Sequence, residues 1–454
     1  MVNMGNTCYL NSVVQSLRAV PQLRKGIKSY SLSAPSQQPA ATLGGNPAVN
    51  GPFLTALRDT FSALDRTAEA VQPTALVRTT KMAFPQFAQL GPQGQPMQQD
   101  AEEFYSGLLT IAASETKGKD KIEKALEAVT DEELMGADNL IDATFGLKME
   151  ETLTCDEFDT DSKMEVEGEA AAAVEPPVKS YDLLRKLVCN IQGGSDGSSQ
   201  VNVGHINEGI ALSLNGKIEK RSEVLGRDAV WTRKQRIARL PPIIVVQFGR
   251  FYWKATPDSQ DHAGVKCKVM KPVAFSSTLD VYEFCTEGVQ KVLKVSRDKA
   301  LAEEEDRINK KLKGSKDGED TKMEDAEEAA KDGEAKKGDA EEDEELQKAL
   351  AMSMEEALPP VGPGLPSNFQ GVYELFAVVT HKGRDADGGH YLGWVKADSN
   401  HGEVKKIADT DEQNEDWFVF DDDEVSPCKT EDVLKLKGGG DWHMSYLNFY
   451  RAKK

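Results

Sequence analysis

Residues 3–17 read NMGNTCYLNSVVQSL, and the fold turns on why a cysteine sits at the seam between a turn and a helix. Structural cysteines usually lie as small hydrophobes inside apolar strands or helices. Cys8 instead follows a tight Gly5-Asn6-Thr7 turn. Behind it Leu10, Val13, Val14 and Leu17 recur at the i, i+3, i+4, i+7 spacing of a buried helix face, which runs to Pro21. Thr7 is the expected N-cap, which places Cys8 in the first helical turn. Unpaired N–H groups and the positive end of the helix dipole gather there, and both favour a thiolate. Two readings stay open on these residues alone. Cys8 merely begins a helix, or it is a nucleophile that needs a histidine and a third group from elsewhere in the chain.

The 454 residues can hold two or three domain-sized cores. No apolar run approaches membrane-spanning length, and the N-terminus lacks the basic and apolar regions of a signal peptide. The six cysteines (8, 155, 189, 267, 285 and 428) include no CxxC pair, which argues against a disulfide framework or a four-cysteine zinc site. A reducing compartment, cytosol or nucleus, is expected. The net charge of −20 is concentrated rather than spread. Residues 313–345 hold fifteen acidic and six basic side chains, and residues 156–169 hold seven acidic and one basic. The acidity therefore belongs mostly to two insertions of disordered character, and the rest is nearly neutral. Neither nucleic acid nor membrane is an expected partner.

Along the chain, residues 1–30 read as a turn, a helix and a basic exit (Arg24, Lys25, Lys28), and residues 31–52 as a Ser/Pro/Gln/Gly-rich loop. The pattern is helical from Phe53 to about Leu134 and strand-like from near Asp142. The acidic stretch 156–177 interrupts the strands, which resume at YDLLRKLVCNI. PPIIVVQFGRFYWK (241–254) reads as a continuous buried strand, and LDVYEFC continues in that style. Residues 296–364 read as a charged, partly helical and largely mobile insertion, after which VYELFAVVTHKG, HYLGWVKA, WFVFDDDEV and DWHMSYLNFYRAKK return to strands. Helices, then strands, insertion and strands predict an α+β enzyme with a cleft between a helical lobe and a sheet lobe.

Among six histidines, His390 begins a strand after the Gly-rich loop KGRDADGG, where a general base can face a cleft and substrate backbone can come close. A surface histidine after a turn has the same local pattern. WFVFDDDEV then offers three acids behind an apolar strand; they form a solvated turn, or one of them faces His390 and completes a Cys–His–Asp arrangement.

With these residues in place, NMGNTCYLNSVVQSL resembles the cysteine box of the ubiquitin-specific proteases, and GGHYLGWV with FVFDDDEV resembles their histidine box. QQDAEEF (98–104), RFYWK and YELFAVVTHKG resemble further family segments, in the family's order. RLPPIIVVQFGRFYWK, LDVYEFCT and GGGDWHMSYLNFY are similar to the proteasome-associated members. The resemblance implies a papain-like cysteine protease fold with a helical thumb, β palm and β fingers. The catalytic domain would comprise residues 1–295 and 365–454 around the 296–364 insertion. It implies Cys8 as nucleophile, His390 as base, Asp421 as orienting carboxylate and Asn3 as oxyanion donor, with no metal or other cofactor. Asp422 and Asp423 are acidic neighbours that can substitute in part for Asp421.

The implied substrate is ubiquitin, free or in chains, held by its C-terminal tail. Gln98, Asp100 and Glu103 would hydrogen-bond the tail, with Phe251 and Tyr391 as walls. Asp100 and Glu103 also suit helix capping, and Phe251 suits ordinary core. The 26S proteasome regulatory particle is an expected partner. The proteasome-associated members carry an N-terminal ubiquitin-like domain, whereas this chain starts seven residues before its cysteine; truncation and loss of the domain both fit. Residues 343–356 (DEELQKALAMSMEE) resemble a ubiquitin-interacting helix, with Leu346, Ala349, Leu350 and Ser353 on one face and Glu356 behind them. Two other readings remain: a non-catalytic ubiquitin-binding scaffold, and a thiol protease for another ubiquitin-like modifier.

Overall fold

Strand residues alternate between two cores. In the computed structural model Phe376, Val379, Tyr446, Leu447, Phe449 and Val245 face one hydrophobic cluster. Their neighbours Leu375, Val378, Tyr450, Ile244 and Val246 face another. A sheet covered on both faces reads as continuous apolar runs, which is why these segments lack polar alternation. The structure describes residues 1–31, 47–126, 129–157, 175–192, 202–254, 265–316, 359–384, 388–397, 416–440 and 442–453.

The helical lobe contains α1 (Cys8–Arg18), α2 (Pro21–Lys28), α3 (Pro47–Leu64), α4 (Thr74–Ala83) and α5 (Ala101–Glu115). Short helices α6 (Lys119–Glu123), α7 (Asp131–Leu134) and α8 (Leu140–Phe145) lead out of it. Next come β1 (Leu147–Cys155), β2 (Val178–Leu184), β3 (Leu187–Cys189), α9 (Ile206–Leu214), β4 (Asn215–Arg221) and β5 (Asp228–Arg239). Strands β2-β1-β5-β4 form a four-stranded antiparallel sheet. The chain continues through β6 (Ile243–Phe248), β7 (Phe251–Lys254), β8 (Val265–Lys268), β9 (Thr278–Asp280) and α10 (Glu287–Lys316). It ends with β10 (Val372–Lys382), β11 (His390–Lys396), β12 (Asp416–Asp421), β13 (Glu424–Lys429) and β14 (Met444–Ala452). The large sheet runs β13-β12-β11-β10-β14-β6-β3, with β9 beside β10. The architecture is α+β, and one sheet takes strands from both sides of the insertion.

Several expectations change. Pro21 ends the first helix by opening the next, because a first-turn proline lacks only an N–H that has no helical partner; the basic exit is thus helix α2. Strand structure begins at Leu147, not near Asp142, since the Asn139 side chain accepts from Asp142 N and caps α8. PPIIVVQFGRFYWK breaks into β6 and β7 at Gly249-Arg250. There the fully buried Arg250 donates to the carbonyls of Ser445, Val269, Lys271 and Lys437. LDVYEFC leaves β9 for a 3-10 turn at Tyr282–Phe284, because the Asp280 carboxylate accepts from Tyr282 N. The start of the 296–364 insertion is helical, as expected, but it continues a helix begun before it: α10 buries Leu293 and Ser296 and is exposed from Leu301 to Asn309. Most of the acidic stretch 156–177 and all of the 343–356 segment lie outside the described residues.

Candidate active site

Helix α1 lies directly on β11 because Gly393 has no side chain: a Cβ there would stand 3.2 Å from Ser12 O and 3.4 Å from Ser12 Cα. This approach brings the start of α1 beside the start of β11, and so Cys8 beside His390. The turn before Cys8 needs two left-handed residues, Gly5 (φ +94°) and Asn6 (φ +51°). Asn6 donates to Pro96 O at 2.7 Å, which ties the turn to the segment before α5. From that segment Gln98 Nε2 donates to Cys8 Sγ at 3.3 Å. Thr7 stands at the N-cap position without capping, since its Oγ1 accepts from Met4 N at 2.9 Å.

His390 bridges the thiol and a carboxylate. Its Nε2 lies 2.6 Å from Asp421 Oδ1. A hydrogen bond with Cys8, opposed by partial burial and reinforced by Asp421, raises the imidazole to about 9. The ring is therefore an imidazolium at neutral pH. Cys8 itself is buried.

Asp421 and Asp422 diverge at the two-residue turn between β12 and β13. Asp422 adopts φ +51°, and its carboxylate takes other partners. It accepts from Asn3 Nδ2 and from Asn11 Nδ2, each at 2.8 Å. Asn3 Oδ1 accepts from Gly5 N and Thr7 N at 3.0 and 3.1 Å, so its amide is oriented at both ends. One Asn3 amide hydrogen is engaged by Asp422, and the group retains a second. Sequence reasoning missed Asn11 and this role of Asp422; the run of three acids behind an apolar strand was the available signal.

The expected tail-binding residues divide by environment. Asp100 caps α5, its Oδ1 accepting from Glu102 N, Glu103 N and Tyr446 Oη. Burial pushes this carboxyl up, against the Tyr446 and Glu102 hydrogen bonds. Glu103 is exposed and accepts from Gln86 Nε2 at 3.0 Å. Half-buried Phe251 meets Tyr446 edge-on at 5.1 Å between ring centres. Tyr391 is buried at 6.2 Å from Tyr446. Tyr446, hydrogen-bonded to Asp100, thus carries both rings beside that carboxylate. Leu346, Ala349, Leu350, Ser353 and Glu356 lie outside the described residues.

His390, Asp421 and Asp422 also present ligand atoms within 4.8 Å of one another. All three hold hydrogen bonds, His390 with Asp421 and Asp422 with Asn3 and Asn11.

A thiol at a helix start, with an imidazolium on one side, a carboxylate behind that ring and amide donors around it, suits acyl transfer through a thioester. The family model described as ubiquitin carboxyl-terminal hydrolase matches residues 1–450. Ubiquitin carboxyl-terminal hydrolase 6 of Arabidopsis thaliana is 34% identical over 457 residues, covering all of this chain and 77% of that protein. Hydrolase 7 of the same plant is 32% identical with the same coverage. Hydrolase 6 of Schizosaccharomyces pombe is 29% identical over the whole chain and 78% of its own length. The chain belongs to the ubiquitin carboxyl-terminal hydrolase family, within its ubiquitin-specific proteases, and is a cysteine-type deubiquitinating enzyme.

Proposed function

We propose that Cys8 attacks the carbonyl of ubiquitin's C-terminal glycine while His390 acts as acid and then as base. The contact of His390 with both Cys8 and Asp421 carries this reading. The Cys8 thiolate adds to the carbonyl, and the electron pair displaced onto oxygen is met by the free Asn3 amide hydrogen and by Gln98 Nε2. His390 gives its proton to the leaving amine, the C–N bond breaks, and ubiquitin remains as a thioester on Cys8. Neutral His390 then takes a proton from water, whose oxygen attacks the thioester and releases the ubiquitin carboxylate and the thiolate. Asp421 holds the ring so that Nδ1 faces sulfur throughout. An oxyanion donor of this kind is worth roughly 3–4 kcal/mol in a comparable protease.

The tail would run past Asp100, Phe251 and Tyr391, where glycines fit and side chains do not. The finer assignment is trimming of conjugates held on the proteasome, in cytosol and nucleus. Its support is the likeness of RLPPIIVVQFGRFYWK and GGGDWHMSYLNFY to the proteasome-associated members. The 343–356 segment would add a second ubiquitin contact, tethering a chain near the cleft. The test measures release of fluorophore from a ubiquitin C-terminal amide, with and without purified proteasomes. Activity lost in Cys8→Ala supports the mechanism, and a rise in kcat/KM with proteasomes supports the assignment. Full activity in Cys8→Ala contradicts the first, and equal rates at saturating proteasome contradict the second.

A further inference from the structure

Lys268, at the end of β8, directs its ammonium into the protein rather than to solvent. Its hydrogen-bond partners are His381 Nδ1 at 2.5 Å, His381 O at 3.2 Å and Gly383 O at 2.6 Å. An ammonium has three N–H groups, and these contacts use all of them. His381 is fully buried, with its ring edge-on to Phe251 at 5.3 Å and to Tyr391 at 4.6 Å. Burial and the facing Lys268 push its imidazole down to about 3, so the ring is neutral. Because Nδ1 accepts from Lys268, the ring proton sits on Nε2, which donates to Gly388 O at 3.0 Å.

These contacts grip the backbone at two points that flank β10 and β11, Gly383 and Gly388. Lys268 holds the carbonyl of Gly383, one residue beyond β10, and His381 holds the carbonyl of Gly388, two residues before His390. Glycines close the neck between them. Gly383 and Gly389 have φ of +108° and +107°, and a Cβ on Gly389 would stand 2.2 Å from Lys382 O and 2.7 Å from the His381 ring. Across the ladder Lys382 pairs with His390, so the gripped backbone leads straight into the base.

We propose that Lys268 and His381 are positioning residues for the reaction: together they clasp the backbone at Gly383 and at Gly388, beside the start of β11, and hold His390 in contact with Cys8. Burying an ammonium beside a buried guanidinium is costly, and an apolar side chain would fill the same space more simply. Burial and the Arg250 guanidinium push Lys268 down to about 7, a measure of that cost. The clasp gives a reason for bearing it, since displacement of a base by about 1 Å costs on the order of a hundredfold in rate.

The inference rests on the thiol-protease reading, and two measurements separate the two. One is kcat and KM on a fluorogenic ubiquitin amide; the other is the alkylation rate of Cys8 by iodoacetamide near neutral pH, which reads the thiol–imidazole contact without ubiquitin. Both are made on the full chain for the wild type, Lys268→Met, His381→Phe and His381→Gln. Glutamine keeps a donor for Gly388 O and an acceptor for Lys268, whereas phenylalanine keeps only the shape.

Lys268→Met should lose at least tenfold in kcat with KM within twofold, and its Cys8 alkylation should slow in parallel. His381→Phe should behave alike and His381→Gln should stay within threefold of the wild type. Wild-type alkylation in Lys268→Met, an effect confined to KM, or equal damage in His381→Gln and His381→Phe overturns the clasp. Should His381→Phe fail to fold, Lys268→Met and His381→Gln decide the question alone. A wild type that releases no fluorophore defeats the protease reading instead, and the alkylation rates still judge the clasp.

Discussion

At the scale of single residues, two adjacent aspartates hold different halves of the site. Asp421 reaches His390, while Asp422 reaches Asn3 and Asn11 across 419 and 411 residues of sequence. Asp422→Asn keeps the left-handed backbone, which asparagine tolerates, but sets an amide N–H₂ against amide donors. Losing a charge-assisted hydrogen bond costs about 1.5–3 kcal/mol, so kcat should fall roughly tenfold to a hundredfold with little change in KM. Steady-state kinetics on the fluorogenic amide check this.

His390 supplies a pH prediction whose sign follows from its raised value. Its folded value of about 9 lies above the ordinary imidazole value of 6.5, so folding favours the protonated ring. That stabilisation is full below 6.5 and is lost as pH rises through about 9. The melting-temperature gap between wild type and His390→Gln should therefore be widest near pH 6 and narrow towards alkaline pH. The alkaline limb of kcat/KM should fall near 9, where His390 gives up the proton that the leaving amine needs.

Among the elements, the seam between α1 and β11 decides whether thiol and base meet. Gly393→Ala would press a methyl group to 3.2 Å from Ser12 O, and backbone on both sides leaves little room to yield. Overpacking of this kind costs typically about 1–3 kcal/mol. The variant should melt several degrees lower and lose activity beyond its loss of folded protein, as thermal melts and active-site titration would report. Helix α1 was legible because its apolar residues repeat at helical spacing and Pro21 marks its end. The break between β6 and β7 was not, because Arg250 interrupts an apolar run only by finding four carbonyls, two of them more than 180 residues away. Asp142 was misread for a related reason: a neighbouring side-chain cap overrode a strand-like composition.

For the whole molecule, the sheet order β13-β12-β11-β10-β14-β6-β3 joins strands from both ends of the chain. An apolar run marks a strand but carries no information on its partner, so the α+β class was legible and the sheet order was not. The chemistry-bearing residue types were legible from short motifs. Contacts such as Lys268 with His381, across 113 residues, exist only once the sheet has closed. The same closure places Cys8 from the first helix, His390 from β11 and Asp421 from β12 at one point.

That convergence is tested most directly by covalent capture. The full chain is incubated with ubiquitin carrying a C-terminal electrophile, and the modified residue is located by mass spectrometry of the digest. A single adduct on Cys8, absent in Cys8→Ala and formed slowly in His390→Ala, is the predicted result. An adduct on any of Cys155, Cys189, Cys267, Cys285 or Cys428 in place of Cys8, or no adduct at all, would contradict it.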